Sequence, residues 1–377
     1  MIIAVNTRFL LKDRLEGIGR FSYEVLKRIV INHPEHQFYF IFDRPYSEEF
    51  IFAKNVTPVV IFPPARHAFL FIWWFELSIP RVLKRIKPDL FLSPDGYLSL
   101  RTSVPSCQVI HDLNFEHFPE YIPFMARKHY LHYFPKYARK AKHIITVSEY
   151  TKKDITNLYK IPAEKITVAY NGISGFFSPC NADEITQTQK EYTGGNPFFL
   201  FVGSLHPRKN IGNLMTAFDA FRKKTNASVK LLIAGQAYWW NKDMEKTYQN
   251  MQFREDVIFT GRIDNPTLRK LYGSALALTY VSLFEGFGLP IAEAMQCHTP
   301  VICSNTTSMP EVGGDAALYA DPLSADSICD AMLKVYHEPG LRKQMVEKGI
   351  KQVEKFNWDH TEESVWKCIQ LGAESTV

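Results

Sequence analysis

One pattern, met twice, restricts this chain more than anything else in it: short apolar runs alternating with amphipathic helical stretches. In the first set the strand candidates are IIAVN (2–6), QFYFIF (37–42), PVVIF (58–62), DLFLS (89–93), CQVIHD (107–112), HIITVS (143–148) and KITVAY (165–170). Helix-like stretches such as GRFSYEVLKRIV (19–30) and SEYTKKDITNLY (148–159) lie between them. The alternation restarts with FFLFVG (198–203), KLLIAG (230–235), VIFTG (257–261), ALALTY (275–280), TPVICS (299–304) and AALYAD (316–321). Strands alternating with helices predict mostly parallel, doubly wound α/β sheets. The break between the sets, NGISGFFSPCNADE (171–184), has glycines, a proline and no periodicity, so the linker is placed there. Two Rossmann-like domains are expected, 1–176 and 177–357, with a cleft between them and ligands beyond the carboxyl ends of strands.

At 377 residues the chain is long enough for two such cores. The net charge of +5 is uneven: residues 1–176 carry 24 Lys and Arg against 16 Asp and Glu, and residues 177–377 carry 20 against 23. The halves therefore face different partners, or one lies against an anionic surface. Six cysteines show no CxxC pair and no metal-ligand spacing, which fits a reducing compartment. The N-terminus, MIIAVNTRFL, reads as a strand with Arg8 inside it rather than as a signal peptide. The longest apolar patch, FLFIWWF (69–75), is too short to span a bilayer.

Four polar clusters fall at expected strand ends. EGIGRFS (16–22) opens the first long helix, though too far past the first strand for a dinucleotide fingerprint. It reads either as a plain loop and helix start or as a glycine turn facing a phosphate. HDLNFEHF (111–118) puts His111 and Asp112 at a strand end, as site residues or as loop caps. FVGSLHPRKNI (201–211) sets Arg208 and Lys209 beside a helix start, an arrangement that suits a diphosphate; the alternative is a solvated basic turn. SLFEGFGLPIAEAM (282–295) reads as a glycine turn into a helix, with Pro290 in its first turn. Glu293 there could merely complement the helix dipole. Glu285, an acid beside an anion site, needs another partner such as sugar hydroxyls.

The E-x7-E spacing of EGFGLPIAE resembles that of the retaining glycosyltransferases with the GT-B fold, in particular glycosyltransferase family 4. EGIGRFS, VGSLHPRKN, VSEYTKKDI (147–155), NGI (171–173) and PEVGGDAALYADP (310–322) fit the same family pattern, in order along nearly the whole chain. Bacterial mannosyl- or hexosyltransferases of surface polysaccharide synthesis look most similar. The resemblance implies GT-B architecture and a terminal helix, about 358–377, crossing back to the N-terminal domain. It implies a nucleotide-sugar cosubstrate, GDP- or UDP-linked, with no other cofactor and no metal; no DxD-type motif is present. By the same resemblance Arg208 and Lys209 hold the donor diphosphate, with Gly17 approaching it from the N-terminal domain. Gly286, Phe287, Gly288 and Leu289 offer backbone N–H groups, and Glu285 binds hydroxyls of the transferred sugar. Glu293 binds the ribose, Ile263 lies by the base, Ser204 belongs to the donor site, and His111 contacts the sugar near the reaction centre. Val281 departs from the proline that many members carry. The family retains anomeric configuration, with attack from the leaving-group face, so Glu285 is not expected to be a nucleophile.

The acceptor side is read from composition. RHAFLFIWWFELSIPRVLKRIK (66–87) mixes aromatics with cations, and FMARKHYLHYFPKYARKAKH (124–143) has six Lys and Arg and no acid. Such stretches suit an anionic membrane or a lipid-linked diphosphate acceptor, or else they are ordinary helices with a basic outer face. The expectation is a cytoplasmic hexosyltransferase, peripheral on the inner face of the membrane. Its first donor is GDP-mannose, and its acceptor a glycan or lipid-linked saccharide. The alternatives are a UDP-hexose-dependent transferase, a nucleotide-sugar epimerase or hydrolase, and a non-catalytic glycan-binding subunit. No nucleic-acid module is recognised.

Overall fold

A computed structural model describes residues 1–12, 15, 17–65 and 68–374. Its residues fall into two compact units, Met1–Gly172 with Asn357–Val377, and Ile173–Phe356.

Unit 1 is built on seven parallel strands: β1 (Ile2–Asn6), β2 (Gln37–Phe42), β3 (Val56–Val60), β4 (Leu90–Ser93), β5 (Ser106–Ile110), β6 (His143–Thr146) and β7 (Ile166–Val168). Their order is β3-β2-β1-β4-β5-β6-β7. Helices α1 (Ile18–Asn32), α2 (Ala68–Trp73), α3 (Ile79–Ile86), α4 (Asn114–His117), α5 (Phe124–Lys140) and α6 (Glu149–Tyr159) connect them. Strands β4, β5 and β6 are buried at every residue, because helices cover both faces of a parallel sheet. The core beside them is aromatic, with Trp74, Phe75, Tyr97, Phe115, Phe134 and Tyr137 packed together. The run PVVIF ends as a strand at Val60, two residues early, since Pro63 and Pro64 carry no N–H to continue a ladder.

Unit 2 repeats the topology with six strands: β8 (Phe198–Val202), β9 (Lys230–Ala234), β10 (Val257–Gly261), β11 (Ala277–Tyr280), β12 (Val301–Ser304) and β13 (Ala317–Ala320). Their order is β10-β9-β8-β11-β12-β13, again all parallel. Its helices are α7 (Ala182–Thr193), α8 (Ile211–Thr225), α9 (Lys242–Asn250), α10 (Asn265–Ser274), α11 (Leu289–Gln296), α12 (Met309–Gly313), α13 (Ala325–His337) and α14 (Pro339–Val353). In each sheet the strand order reverses at the middle, between β1 and β4 and between β8 and β11, which is where doubly wound sheets open a crevice.

The last helix, α15 (Trp358–Glu374), belongs to unit 1. Arg28 reaches Asp359 at 2.7 Å, His33 bonds Glu362 at 3.1 Å and stacks on Trp366, and the Thr361 hydroxyl donates to the Tyr170 carbonyl at 2.5 Å. Gly172 packs so tightly that a Cβ there would lie 2.4 Å from the Trp358 nitrogen. The Ile173 amide instead donates to Phe356, at 3.0 Å, which ties residues from 173 onward to unit 2 rather than from 177. Among the described residues no helix is long and apolar enough to cross a membrane.

Candidate functional site

The unit 2 site is assembled from the loops that leave β8 and β11. A Cβ on Gly235, just past β9, would lie 1.7 Å from the Gly203 carbonyl oxygen, so only glycine lets the loops after β8 and β9 lie together. The β8 loop then makes one turn of 3₁₀ helix, Pro207–Lys209, capped by His206, whose Nδ1 accepts from the Arg208 amide at 3.2 Å. Burial, with the charges of Arg208 and Lys209, pushes the His206 imidazole down to about 4. Asn210 ends the turn in the left-handed conformation, φ 63°. Its amide donates to the Val281 carbonyl at 2.9 Å and the Pro322 carbonyl at 2.7 Å. The Arg208 carbonyl accepts from Leu283, at 2.9 Å, so the two loops are sewn together by backbone.

That sewing brings two cations onto one carboxylate. Lys209 Nζ lies 2.6 Å from Glu285 Oε1 and 2.6 Å from the Tyr280 hydroxyl. Arg208 Nη1 lies 3.3 Å from Glu285 Oε2 and also donates to the Phe284 carbonyl. Glu285 is 7% exposed. Burial alone would push its carboxyl up, but the Lys209 ammonium and Arg208 guanidinium overcome that and hold it at about 2. Burial drives the Tyr280 phenol well above its ordinary range, so it stays protonated.

The chain then turns through Gly286, Phe287 and Gly288 into α11. Gly288 sits at φ 100°, where a side chain would be strained, and a Cβ would meet Ile291 at 3.2 Å. The Ser308 hydroxyl shares its proton between the carbonyls of Glu285, at 2.8 Å, and Phe287, at 2.9 Å. Phe287 is anchored edge-on against Phe356. Glu293 is the fifth residue of α11, beyond the first turn, so the dipole-complement alternative does not describe it. Its Oε2 accepts from the Tyr272 hydroxyl at 2.9 Å.

In unit 1, His111 follows β5. Its Nε2 lies 2.9 Å from the Pro94 carbonyl, which can only accept, so Nε2 carries the proton and the neutral ring presents Nδ1 as an acceptor. Burial lowers its pKa, and Phe21 packs edge-on against the ring at 5.0 Å. Asp112 is the loop cap, accepting from the Asn114 amide at 3.0 Å. Gly17, exposed at φ 47°, caps α1; its neighbour Glu16 lies outside the described residues.

Comparison with known proteins agrees with this geometry. The family described as "Glycosyltransferase Family 4" matches residues 16–174, and "Glycosyl transferases group 1" matches residues 183–352. The O-antigen chain mannosyltransferase B of Escherichia coli is 30% identical over 365 residues, 93% of this chain and 94% of that protein. The chain belongs to glycosyltransferase family 4. The O-antigen chain mannosyltransferase RfbU of Salmonella typhimurium is 27% identical over 256 residues, covering 68% of this chain and 67% of that one. Among solved structures, sucrose-phosphate synthase from Thermosynechococcus elongatus superposes with a TM-score of 0.77 at 16% identity, covering both chains fully. Anabaena Alr3699/HepE in complex with UDP and glucose gives 0.75 at 14% identity, over 100% of this chain and 99% of that one. The fold of this family 4 enzyme is GT-B.

Within the enzyme, the structure brings together Arg208, Lys209 and Glu285, with Gly286, Phe287, Gly288 and Leu289 continuing from them. Ser204 is exposed at the end of β8. Ile263 lies past β10, two strands from β8 and outside the hydrogen-bonded cluster. Among the described residues no group of His, Cys, Asp and Glu is arranged to hold a metal. Sequence reasoning missed Tyr280, Asn210, Ser308 and Tyr272. Only Tyr280 had a signal, as the last residue of an apolar run at a carboxyl strand end. It also missed the buried pair Arg8–Asp95 at the reversal point of unit 1.

Proposed function

We propose that this enzyme transfers a hexose, mannose from GDP-mannose in the first reading, with retention of configuration. The acceptor is a glycan or a lipid-linked saccharide on the way to a surface polysaccharide. Two relatives named O-antigen mannosyltransferases support the sugar and the pathway. The observation that carries the chemistry is the pair of cations gathered on Glu285 at the crevice between β8 and β11. Breaking the anomeric C–O bond leaves charge on the diphosphate, and preorganised donors aimed at that charge are the main lever on the barrier. Arg208 and Lys209 exchange the carboxylate for phosphate oxygens, and the amides of Gly286 to Leu289 add fixed dipoles without a metal. Ser204 lies in the donor site.

Glu285, relieved of part of its pairing, accepts from hydroxyls of the sugar. Retention with attack from the leaving-group face gives Glu285 a binding role rather than a nucleophilic one. Glu293 takes the ribose hydroxyls, Ile263 lies against the base, and the Nδ1 lone pair of His111 accepts from a sugar hydroxyl. The enzyme works at the cytoplasmic face of the membrane.

Thermal-shift screening with GDP, UDP and their sugars tests the donor, because a ligand that binds only the native state raises Tm. The largest shift is expected with GDP-mannose; a larger shift with a UDP-hexose assigns that donor instead. Lys209→Ala should abolish the nucleotide shift and slow transfer by about 10²–10³-fold with the fold intact. Near-normal turnover in that variant refutes the diphosphate assignment. Donor consumption without acceptor would mark a hydrolase or epimerase.

A further inference from the structure

Unit 1 carries a lopsided surface. Eight of the eleven large apolar side chains it exposes among the described residues lie on two segments, 60–73 and 124–131. Phe62 is 79% exposed, Phe69 68%, Trp73 52%, Phe124 56% and Met125 66%. Helices α2 and α5, which carry most of these side chains, pack on each other. The Phe62 carbonyl accepts from the Ser78 hydroxyl at 2.7 Å, and Trp74 and Phe75, next to Trp73, are fully buried. Beside α2 runs a groove of about 660 Å³ lined by Ile61, Phe62, Phe69, Leu70, Trp73 and Arg81, among others. Contiguous apolar surface of this kind marks an interaction site.

The exposed charge on α3 and α5 is positive. Arg81, Lys84 and Arg85 occupy the outer face of α3, whose other face buries Ile79, Val82 and Leu83. Arg127, Lys128, Lys136, Arg139 and Lys140 line α5, and Arg127 and Lys128 lie 5.6 and 4.5 Å from the Phe124 ring centre. The described residues of 60–87 and 124–140 contain one acid, Glu76, which is buried and accepts from the Leu100 amide. A second copy of the chain would bring this positive rim onto itself. An anionic amphiphile satisfies both the aromatics and the cations.

We infer that this face docks on an anionic phospholipid surface. Phe62, Phe69 and Trp73 insert among the headgroups, with Arg81 of the groove and Lys128 by the Phe124 ring beside the phosphates. In a parallel sheet all strand-to-helix loops open at one end, so Phe62, past β3, and Phe124, at the start of α5, share the carboxyl end of the sheet with His111. The placement rests on the transfer reading for its purpose, which is to present a lipid-linked acceptor at that end.

Flotation of the full chain tests it, with vesicles of phosphatidylcholine alone and of equal parts phosphatidylcholine and phosphatidylglycerol. Binding is expected to the mixed vesicles only, with a blue shift of tryptophan emission. It should weaken by about tenfold or more in F62S/F69S/W73S and in R81E/K128E, and fall with added salt. The substituted side chains are exposed, so Tm and the nucleotide-induced thermal shift should match wild type in both variants. Loss of flotation with that shift retained separates the lipid face from the donor site. A missing nucleotide shift in wild type, with flotation intact, overturns the transfer reading and leaves this face standing. Flotation on neither vesicle, equal flotation on both, or wild-type flotation of the triple variant overturns the proposal. So does a dimer in light scattering that the triple variant dissolves.

Discussion

Replacing Glu285 by Gln removes the carboxylate charge that Lys209 and Arg208 share, at 2.6 and 3.3 Å. The folded protein holds that carboxyl at about 2 against an ordinary 4.5. At about 1.4 kcal/mol per pH unit the difference is worth about 3 kcal/mol. Solvent screening does not discount it much, because the residue is 7% exposed. The unfolded chain takes up the proton near 4.5, while the folded chain refuses it until about 2. The stabilisation is therefore complete above the higher value and vanishes as pH falls through the lower one, with roughly half left midway. In the variant the two cations lose this partner at every pH, and about 3–5 kcal/mol of stability should go with it. Urea unfolding at about pH 7, 5 and 3.5 measures both effects. Hydrogen exchange of the segment 277–296 keeps the readout local to unit 2. Inorganic pyrophosphate should protect the variant more than wild type by replacing the missing charge. A variant within about 0.5 kcal/mol of wild type, or one with the same acid slope, would refute a charged carboxylate between two cations.

Two other substitutions probe unit 1. Gly172→Ala drives a methyl to 2.4 Å from the Trp358 backbone and ring. It should cost about 1–3 kcal/mol and loosen exchange protection of α15 before that of β4 and β5; unchanged protection of α15 removes the claim that this contact docks the helix. His111→Gln bears on a ring whose pKa burial lowers, so wild type loses stability as pH drops through the ordinary histidine value of 6.5 and the variant should lose less. Transfer should slow about tenfold with the Nδ1 acceptor gone, and an unchanged rate would take His111 away from the sugar.

What could be read in the sequence follows a physical division. Strands such as VIC in β12 and LFL in β4 are buried on both faces, so they are written as unbroken apolar runs with no need of a partner's sequence. The turn into α11 is legible too: Gly288 answers a backbone demand, and Pro290 a missing donor, within a few residues. Contacts that close the site are different. Asn210 meets Pro322 across 112 residues, and Tyr272 meets Glu293 across 21. No local period encodes such distances, and a tyrosine in an apolar run such as ALALTY reads first as core. The first unit's first segment ends at 172 rather than 176, and a contact such as Ile173 to Phe356 has no local signal either.

The two reversal points show how one topology serves two ends. Each puts a cation past the first strand of its sheet and a carboxylate past the fourth, Arg8 with Asp95 and Lys209 with Glu285. In unit 1 the chain fills the crevice with its own groups. Arg8 lies 4.4–5.5 Å from the ring centres of Phe9, Phe71, Phe75 and Tyr97, and Asp95 also accepts from Asn6, at 2.8 Å, and the Tyr97 amide, at 3.2 Å. An incoming anion there would have to displace aromatic packing as well as a carboxylate. In unit 2 the residues after the carboxylate are Gly286, Phe287 and Gly288; the glycines have no side chain to close the space, and Phe287 turns away onto Phe356. A diphosphate at that crevice competes with Glu285 for Arg208 and Lys209, so both cations stay paired while the buried carboxylate has to turn to hydroxyls of the sugar.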